Sequence, residues 1–398
     1  MAPRPGPGEA HVPGASLPLA VLQYVADVEL ERGGIVRAVL DLSAGLATRG
    51  HAVTLATCTA RDIPAGWGGP GTPGVLRLSR GPGGIRFTAA ASAMLRDAVQ
   101  VADVVHVHNL WNPELRHVAA IARRAGRPYV ITPHGTLDPW SMAQRPSKKR
   151  AYLAAGGRRL IEGAAAVHFT AEEEERAAQR WVKPSRRAVI PYLIDLRPFL
   201  SHPAVPAAGP VPRVLFLSRL HEKKRLDLLL RATARLAESG VPTEVLVAGT
   251  GEPGYVDSMA ALVARLGLAG QVNFLGKVGG AAKLDLLASA DVMAVPTSQE
   301  NFGIVFVEAL ASAVPVVAST GTDIWRELEA TGGAQIVDLD STGDPVPVLA
   351  DALRGLLADP VRRSTMGRAG RAGVQAWLDP ERTAVAFEQL YAGVAAIP

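Results

Sequence analysis

The sequence predicts an α/β protein made of two Rossmann-like domains in tandem. Three observations carry this. The chain has 398 residues, more than one ordinary core accommodates. Short apolar runs alternate with amphipathic stretches along its length, the pattern of parallel sheets covered by helices on both faces. The alternation breaks once, at Ser201–Pro212 (SHPAVPAAGPVP), where four prolines in twelve residues make a poor helix and a poor strand.

In the first half, strands are predicted at Leu19–Val25, Ala52–Ala56, Asp103–Val107, Tyr129–Thr132, Ala166–Phe169 and Ala188–Pro191, with helices over Gly34–Arg49 and Pro113–Ala125. After the proline-rich break, strands are predicted at Arg213–Leu217, Glu244–Ala248, Val272–Leu275, Asp291–Val295 and Pro315–Ala318. The expected boundaries are a disordered tail over 1–16, a first domain over 17–200, a linker over 201–212, a second domain over 213–379 and a last helix over 380–398. Residues 1–18 hold five prolines and three glycines and lack the apolar core of a signal peptide.

Hydrophobic residues make up 48% of the chain and charged residues 20%, a globular balance. A single cysteine, Cys58, excludes an internal disulfide and a thiolate metal cluster, and suits a cytoplasmic chain. No apolar run reaches the ~18 residues that span a bilayer. Charge is uneven: residues 1–200 hold 25 Lys and Arg against 16 Asp and Glu, the remainder 17 against 21. A basic first half can face nucleic acid, an anionic membrane or a phosphorylated ligand. Aromatics are only 5% and do not interleave with the basic runs, which sets nucleic acid aside.

Sheets of this kind bind ligands beyond the carboxyl ends of their strands, and the informative residues fall there. In SRLHEKKRLDLLL, Arg219 follows a strand and Lys224 lies at the start of a helix, two cations suited to a diphosphate. The plain alternative is a solvated basic turn. Gly249 and Gly251 follow the next strand, where they either admit a ligand to the backbone or merely turn the chain. The segment SQENFGIVFVEALASAVPVVAS is the most informative. A strand leads into the loop Pro296–Phe302, and a helix is predicted to start near Gly303 with its first amides aimed at the loop. Glu300 and Glu308 stand eight residues apart, too far for a tight acid/base dyad and well placed to grip two pairs of hydroxyls along an elongated ligand.

In the first half, Gly33 and Gly34 precede a helix, either as a phosphate cradle or as a flexible loop. His106 and His108 end a strand, with His108 a cleft-lining residue at most, and His134–Gly135 lies in YVITPHGTLDPWSM. Residues 145–159 hold Arg145, Lys148, Lys149, Arg150, Arg158 and Arg159 with no acid. That run is read either as a solvated helix face or as a surface for anionic lipid or a polyprenyl-diphosphate acceptor.

This set resembles the retaining family-4 (group 1) glycosyltransferases of the GT-B fold, in particular those that build bacterial surface polysaccharides. The resemblance rests on Arg219/Lys224 followed by Glu300/Glu308, with His134–Gly135 in the first half, and covers nearly the whole chain beyond its N-terminal tail. It implies two domains facing each other across a cleft, with the last helix crossing back onto the first. It implies that Glu308 binds the nucleotide ribose and Glu300 the transferred sugar, and that Asn301, Phe302 and Gly303 offer backbone amides to sugar and phosphates. Arg219 and Lys224 would contact the donor diphosphate, His134 would position the sugar, and Asn273–Lys277 would flank the base. Gly33, Gly34 and Gly249 would approach the donor, and His108, Lys148, Lys149 and Arg150 the acceptor. The implied reaction is transfer of a hexose from a nucleotide-sugar to an acceptor glycan or lipid-linked sugar, with retention and with no metal or other cofactor. The leaving phosphate itself would take the acceptor proton. A soluble natural-product acceptor and a GT-B nucleotide-sugar epimerase remain as alternatives. The expected location is cytoplasmic, with peripheral contact at an anionic inner membrane face as one reading of the basic run. The sequence departs from the family where it has Arg225 and Ala313, positions that commonly carry Gly.

Overall fold

In the computed structural model, residues 18–183, 186–203, 209–341 and 343–396 are described. The predicted tail over 1–16 and the centre of the predicted linker lie outside them. The first sheet contains β1 (Ala20–Tyr24), β2 (Ala52–Thr57), β3 (Gly74–Arg77), β4 (Val104–His108), β5 (Tyr129–Thr132), β6 (Ala166–Phe169) and β7 (Arg187–Val189). The second contains β8 (Arg213–Leu217), β9 (Glu244–Ala248), β10 (Val272–Gly276), β11 (Val292–Val295), β12 (Val316–Ser319) and β13 (Ala334–Val337).

Pairing runs β3-β2-β1-β4-β5-β6-β7 in one sheet and β10-β9-β8-β11-β12-β13 in the other, all parallel. Each order reverses beside its first strand, and the switch opens a crevice at the strands' carboxyl ends. The strands read as near-continuous apolar runs because helices cover both faces. Val214, Leu215 and Phe216 of β8 and Val292, Met293 and Ala294 of β11 are fully buried. Each such large side chain contributes roughly 1.5–3 kcal/mol of burial.

β3 and β13 have no counterpart among the predicted strands. GVLR sits in a stretch crowded with Gly and Pro, and AQIV follows two glycines, so neither shows a clear period. A helix over Arg197–Ser201 also enters the start of the predicted linker. It is short, and Pro198 sits in its first turn, where a proline costs no hydrogen bond.

The last helix, Pro380–Ala395, begins on Asp379, whose carboxylate accepts from Arg382 N at 2.7 Å. Its Ala384, Phe387, Tyr391 and Val394 are packed with Val21, Val53, Val104 and Val130 of the first sheet. Arg49 clamps it by bonding Glu381 and Glu388, both at 2.5 Å. The chain thus passes through the second domain and returns to complete the core of the first.

Candidate active site

The site is built from loops at the carboxyl ends of both sheets. After β8 the chain places Arg219, then a single 3-10 turn over Glu222–Lys224, then Arg225 in the left-handed region (φ 53°), before the helix Leu226–Glu238. Lys224 therefore lies in the turn ahead of the helix, not at its start as the sequence predicts. The left-handed Arg225 is the reason, since it separates the two elements. Ala313 is also left-handed (φ 59°), so both positions where the resembled family has Gly adopt the backbone that favours it. Each costs about 1–2 kcal/mol relative to an αR residue.

After β11 the loop runs through Gln299 and Glu300 to Gly303, the left-handed N-cap (φ 65°) of the helix Ile304–Ala311. That helix presents unpaired first-turn amides to the cleft. Glu300 accepts from the Lys224 ammonium. Lys224 is buried, and burial together with Lys223 and Arg219 nearby pushes its pKa well below the ordinary value. Lys223 is lowered by burial and by Arg219, against the pull of Asp138 and Asp323. Three cations crowded together, two of them lysines whose proton affinity burial has lowered, make a site that gains from a bound polyanion.

Facing this notch across the cleft are Gly33, Gly34 and Ile35 at the start of the helix Gly34–Thr48, and His134, Gly135 and Thr136 after β5. Together these groups line a cavity of about 320 Å³ with Arg219, Lys223, Lys224, Gln299, Glu300 and Trp140. The two lobes approach closely here. A Cβ on Gly135 would lie 2.7 Å from Asn301 Cβ, and one on Gly34 3.1 Å from Ile304 Cδ1. Asn301 Nδ2 donates to Thr170 Oγ1 across the cleft at 2.9 Å, and Gln299 Nε2 donates to Asp138 Oδ2 at 3.2 Å.

Glu308 sits one turn into its helix, 4% exposed, with its carboxylate 2.5 Å from Lys283 Nζ. Burial raises its pKa, while Lys283 and Arg37 from the first domain oppose the rise. On the edge strand β10, Phe274 and Leu275 are exposed, and Lys277 pairs at 2.5 Å with Glu31 of the first domain.

His134 is buried and left-handed (φ 55°). Its Nδ1 is 2.6 Å from the Tyr192 hydroxyl and its Nε2 3.1 Å from His108 Nδ1. His108 Nε2 is 2.7 Å from Gln23 Oε1, and Gln23 Nε2 donates to Tyr391 Oη at 3.2 Å. Tyr391 bonds His106 Nδ1 at 2.8 Å. His106 Nε2 reaches Thr132 Oγ1 at 2.6 Å, and Thr132 Oγ1 reaches His168 Nδ1 at 2.7 Å. The file ends at the Ile190 carbonyl, 2.7 Å from His168 Nε2. A carbonyl only accepts, so His168 carries its proton on Nε2 and takes the Thr132 hydroxyl proton on Nδ1. The same logic, continued along the file, puts the proton of every imidazole on Nε2. The result requires four neutral rings, and burial lowers the pKa of each: His168 to about 4, His108 to about 3, His106 and His134 well below the ordinary value.

Several sequence expectations are corrected here. His108 does not line the cleft: it is 3% exposed and acts by holding His134. The space a Cβ on Gly249 would fill is taken by the Ser218 carbonyl oxygen, 1.8 Å away, so the bare backbone there serves the close approach of two loops. Lys149 turns inward, donating to Ser141 Oγ at 3.1 Å and standing 4.8 Å from the Trp111 ring centroid, so it is not part of an exposed basic surface. Lys148, Arg150, Arg158 and Arg159 are exposed. The side chains of Asn301 and Phe302 are committed to Thr170 and to a stack with Trp377, leaving their backbone as what they offer a ligand.

Sequence reasoning missed Lys223, Lys283, Gln299 and Glu174. Glu174 looks like one of four solvated acids in EEEE, yet it is buried, accepting from Gly135 N at 2.6 Å and from Thr170 N at 2.7 Å. Its position in the first turn of the helix Glu172–Ala178 was the available signal. Among the described residues, no group of three or more His, Cys, Asp or Glu is placed to hold a metal ion.

Comparison with known proteins agrees with this architecture. Residues 33–192 match the family described as glycosyl transferase 4-like domain, and residues 201–373 match glycosyl transferases group 1. A D-inositol 3-phosphate glycosyltransferase of Kineococcus radiotolerans is 32% identical over 321 residues, 72% of this chain and 71% of that protein. A phosphatidyl-myo-inositol mannosyltransferase of Mycolicibacterium smegmatis is 30% identical over 360 residues, 85% of this chain and 84% of that protein. Among solved structures, Anabaena Alr3699/HepE in complex with UDP and glucose superposes with a TM-score of 0.74 at 18% identity, covering 94% of this chain and all of that one. Sucrose-phosphate synthase from Thermosynechococcus elongatus gives 0.73 at 22% identity, over 95% of this chain and all of that one. With two lobes of one strand order, a cationic notch between them and both halves matched, the chain belongs to the group 1 glycosyltransferases of the GT-B fold.

Proposed function

We propose that the protein moves a hexose from a nucleotide-diphosphate sugar to a lipid-linked acceptor with retention at the anomeric carbon and without a metal. The observation that carries this reading is the notch of Arg219, Lys223 and Lys224 beside the amides that start the helix Ile304–Ala311. Positive groups fixed where a diphosphate leaves stabilise the charge that develops there. In the free protein Glu300 occupies Lys224. An arriving phosphate would take over that cation and release the Glu300 carboxylate to the sugar hydroxyls. Glu308, kept near a cation by Lys283, would take the ribose diol.

Retention is supported by what the cavity lacks as a base. Glu300 is the one acid among its lining residues, and with donor bound it would be engaged by the donor sugar's own hydroxyls. His134 has both nitrogens occupied. A proton leaving the acceptor hydroxyl then has the departing phosphate as its acceptor. The cations in the notch supply the charge that a metal would otherwise bring, so full activity is expected in a chelator.

The lipid-linked acceptor is supported by Lys148, Arg150, Arg158 and Arg159, four exposed cations within one short segment of the first lobe. A soluble inositol phosphate is the second reading, because one relative is named for D-inositol 3-phosphate.

The deciding experiment is a panel of UDP-, GDP- and ADP-hexoses with lipid and soluble acceptors, read by proton NMR of the new glycosidic bond. An α-linked product from an α-linked donor is expected, and an inverted product would sink the mechanism. Donor conversion to another sugar with no acceptor present would instead reveal an epimerase. Glu308→Gln should raise the donor KM by about tenfold or more, since one lost ionic hydrogen bond is worth about 1.5–3 kcal/mol.

A further inference from the structure

The cleft does not end at the donor cavity. Beyond Trp140 and Gln299, which line both spaces, lies a second compartment of about 470 Å³. It falls within the roughly 300–1,000 Å³ of small-molecule sites. Its walls come from both lobes: Asp138 and Trp140 from the loop after β5, Gln299 from the loop after β11, and Asp323 and Trp325 from the loop after β12.

Two features are unusual for an ordinary surface groove. Trp140 and Trp325 are both only half-buried, although large indoles are normally covered. Neither is unsupported. The Lys223 ammonium stands 5.4 Å from the Trp140 ring centroid, and the Arg326 guanidinium covers one face of Trp325 at 4.2 Å. The second feature is Asp323. Its Oδ2 is buried without a hydrogen-bond partner. Burial and the nearby Glu174, Asp138 and Glu327 push its carboxyl well above the usual range. A buried polar atom left unpaired costs about 1–3 kcal/mol, and a ligand hydroxyl is one group that would satisfy it.

Aromatic faces beside carboxyl and amide groups suit a pyranose, whose C–H face is apolar and whose rim is hydroxyls. We propose that this compartment is a sugar subsite, holding a pyranose ring of the acceptor against Trp325 with a hydroxyl on Asp323. Gln299 links it to the donor side, since its amide donates to Asp138 and its carbonyl accepts from Lys223 at 3.1 Å. The proposal rests on the glycosyltransferase reading and extends it by naming where the acceptor is gripped. It implies a glycosylated acceptor, not a bare alcohol.

The test uses the full chain, a panel of methyl α- and β-pyranosides, and saturation-transfer NMR in the presence of saturating UDP or GDP. Wild type should bind at least one glycoside, and Trp325→Ala and Asp323→Asn should each weaken it by about tenfold, the equivalent of about 1.4 kcal/mol. Calorimetry of nucleotide binding reports whether each variant is folded. Glu300→Gln separates the two places a ring can sit. A glycoside signal lost in Glu300→Gln but kept in both compartment variants would place the ring in the donor cavity and overturn the proposal. So would the absence of any glycoside binding by wild type. Failure of nucleotide binding in wild type, with glycosides still held through Trp325, would instead overturn the donor reading and leave this one standing.

Discussion

The two lobes share a strand order and differ in what they place inside it. The second packs β8, β9, β11 and β12 in an apolar core and keeps its charge at the rim, in Arg219, Lys223, Lys224, Glu300 and Glu308. The first threads a file of hydrogen-bonded side chains through its centre, from Ile190 by way of His168, His106, Gln23 and His108 to His134. One lobe gathers its charge on loops at the carboxyl ends of its strands. The other holds a single cleft residue in one tautomer through partners that never meet solvent. The difference predicts that mutations in the second lobe disturb chemistry first, and mutations in the first disturb stability and geometry together.

The largest expected effect tests the rim. Lys224→Met should lower kcat by about a hundred- to a thousandfold, the usual cost of losing one preorganised charge-stabilising group. Steady-state rates at saturating donor measure it, and a loss under about fivefold would mean that the notch is not where charge develops. Next comes the file. Gln23→Leu leaves the His108 Nε2–H without an acceptor and should destabilise the protein by about 1–3 kcal/mol, read from urea unfolding, with a fall in kcat as His134 loses its support. Equal unfolding midpoints for the two proteins would show that the file does not act as a unit.

Acid sharpens the same contrast. The four histidines have pKa values depressed on folding, so below about pH 6.5 the unfolded chain binds more protons than the native one and stability falls with falling pH. The loss should run from about pH 6.5 down toward the native values, which for His168 is about 4 and for His108 about 3. Thermal unfolding of wild type across this window should show a steady fall in Tm as the pH drops, and a Tm independent of pH would contradict it. The smallest effect lies in the second lobe. Ala313→Gly should raise stability by a few tenths to about 1 kcal/mol, because relief of a left-handed alanine exceeds the entropy that glycine adds to the unfolded chain. A drop in Tm would contradict it.

How much of this was legible in the sequence follows from how far apart the interacting residues are. Strands such as β5, β6, β8 and β9 were readable to the residue, because a fully buried parallel strand announces itself as an apolar run. Glu300 was readable because a strand end and a helix start bracket it locally, whereas the left-handed Arg225 that sets Lys224 ahead of its helix left no mark in the sequence. The file was not readable. Its bonds join residues 26, 85 and 285 positions apart, and nothing local in His106 or His108 distinguishes a structural histidine from a cleft histidine. Glu174 was hidden for a different reason, since a run of acids reads as solvated unless the loop that needs one of them is known. The close approach of the Ser218 loop to Gly249 was not readable either, because it joins two loops about thirty residues apart.

The helix Pro380–Ala395 gives the architecture a practical consequence. Phe387 and Tyr391 fill the interior of the first lobe from the far end of the chain. A fragment ending near residue 200 would lack part of its own filling and present bare valines where those rings belong. The lobes therefore cannot be exchanged between relatives as simple cassettes. A hybrid that keeps this first lobe has to keep the helix Pro380–Ala395 too, so the two segments must be inherited together.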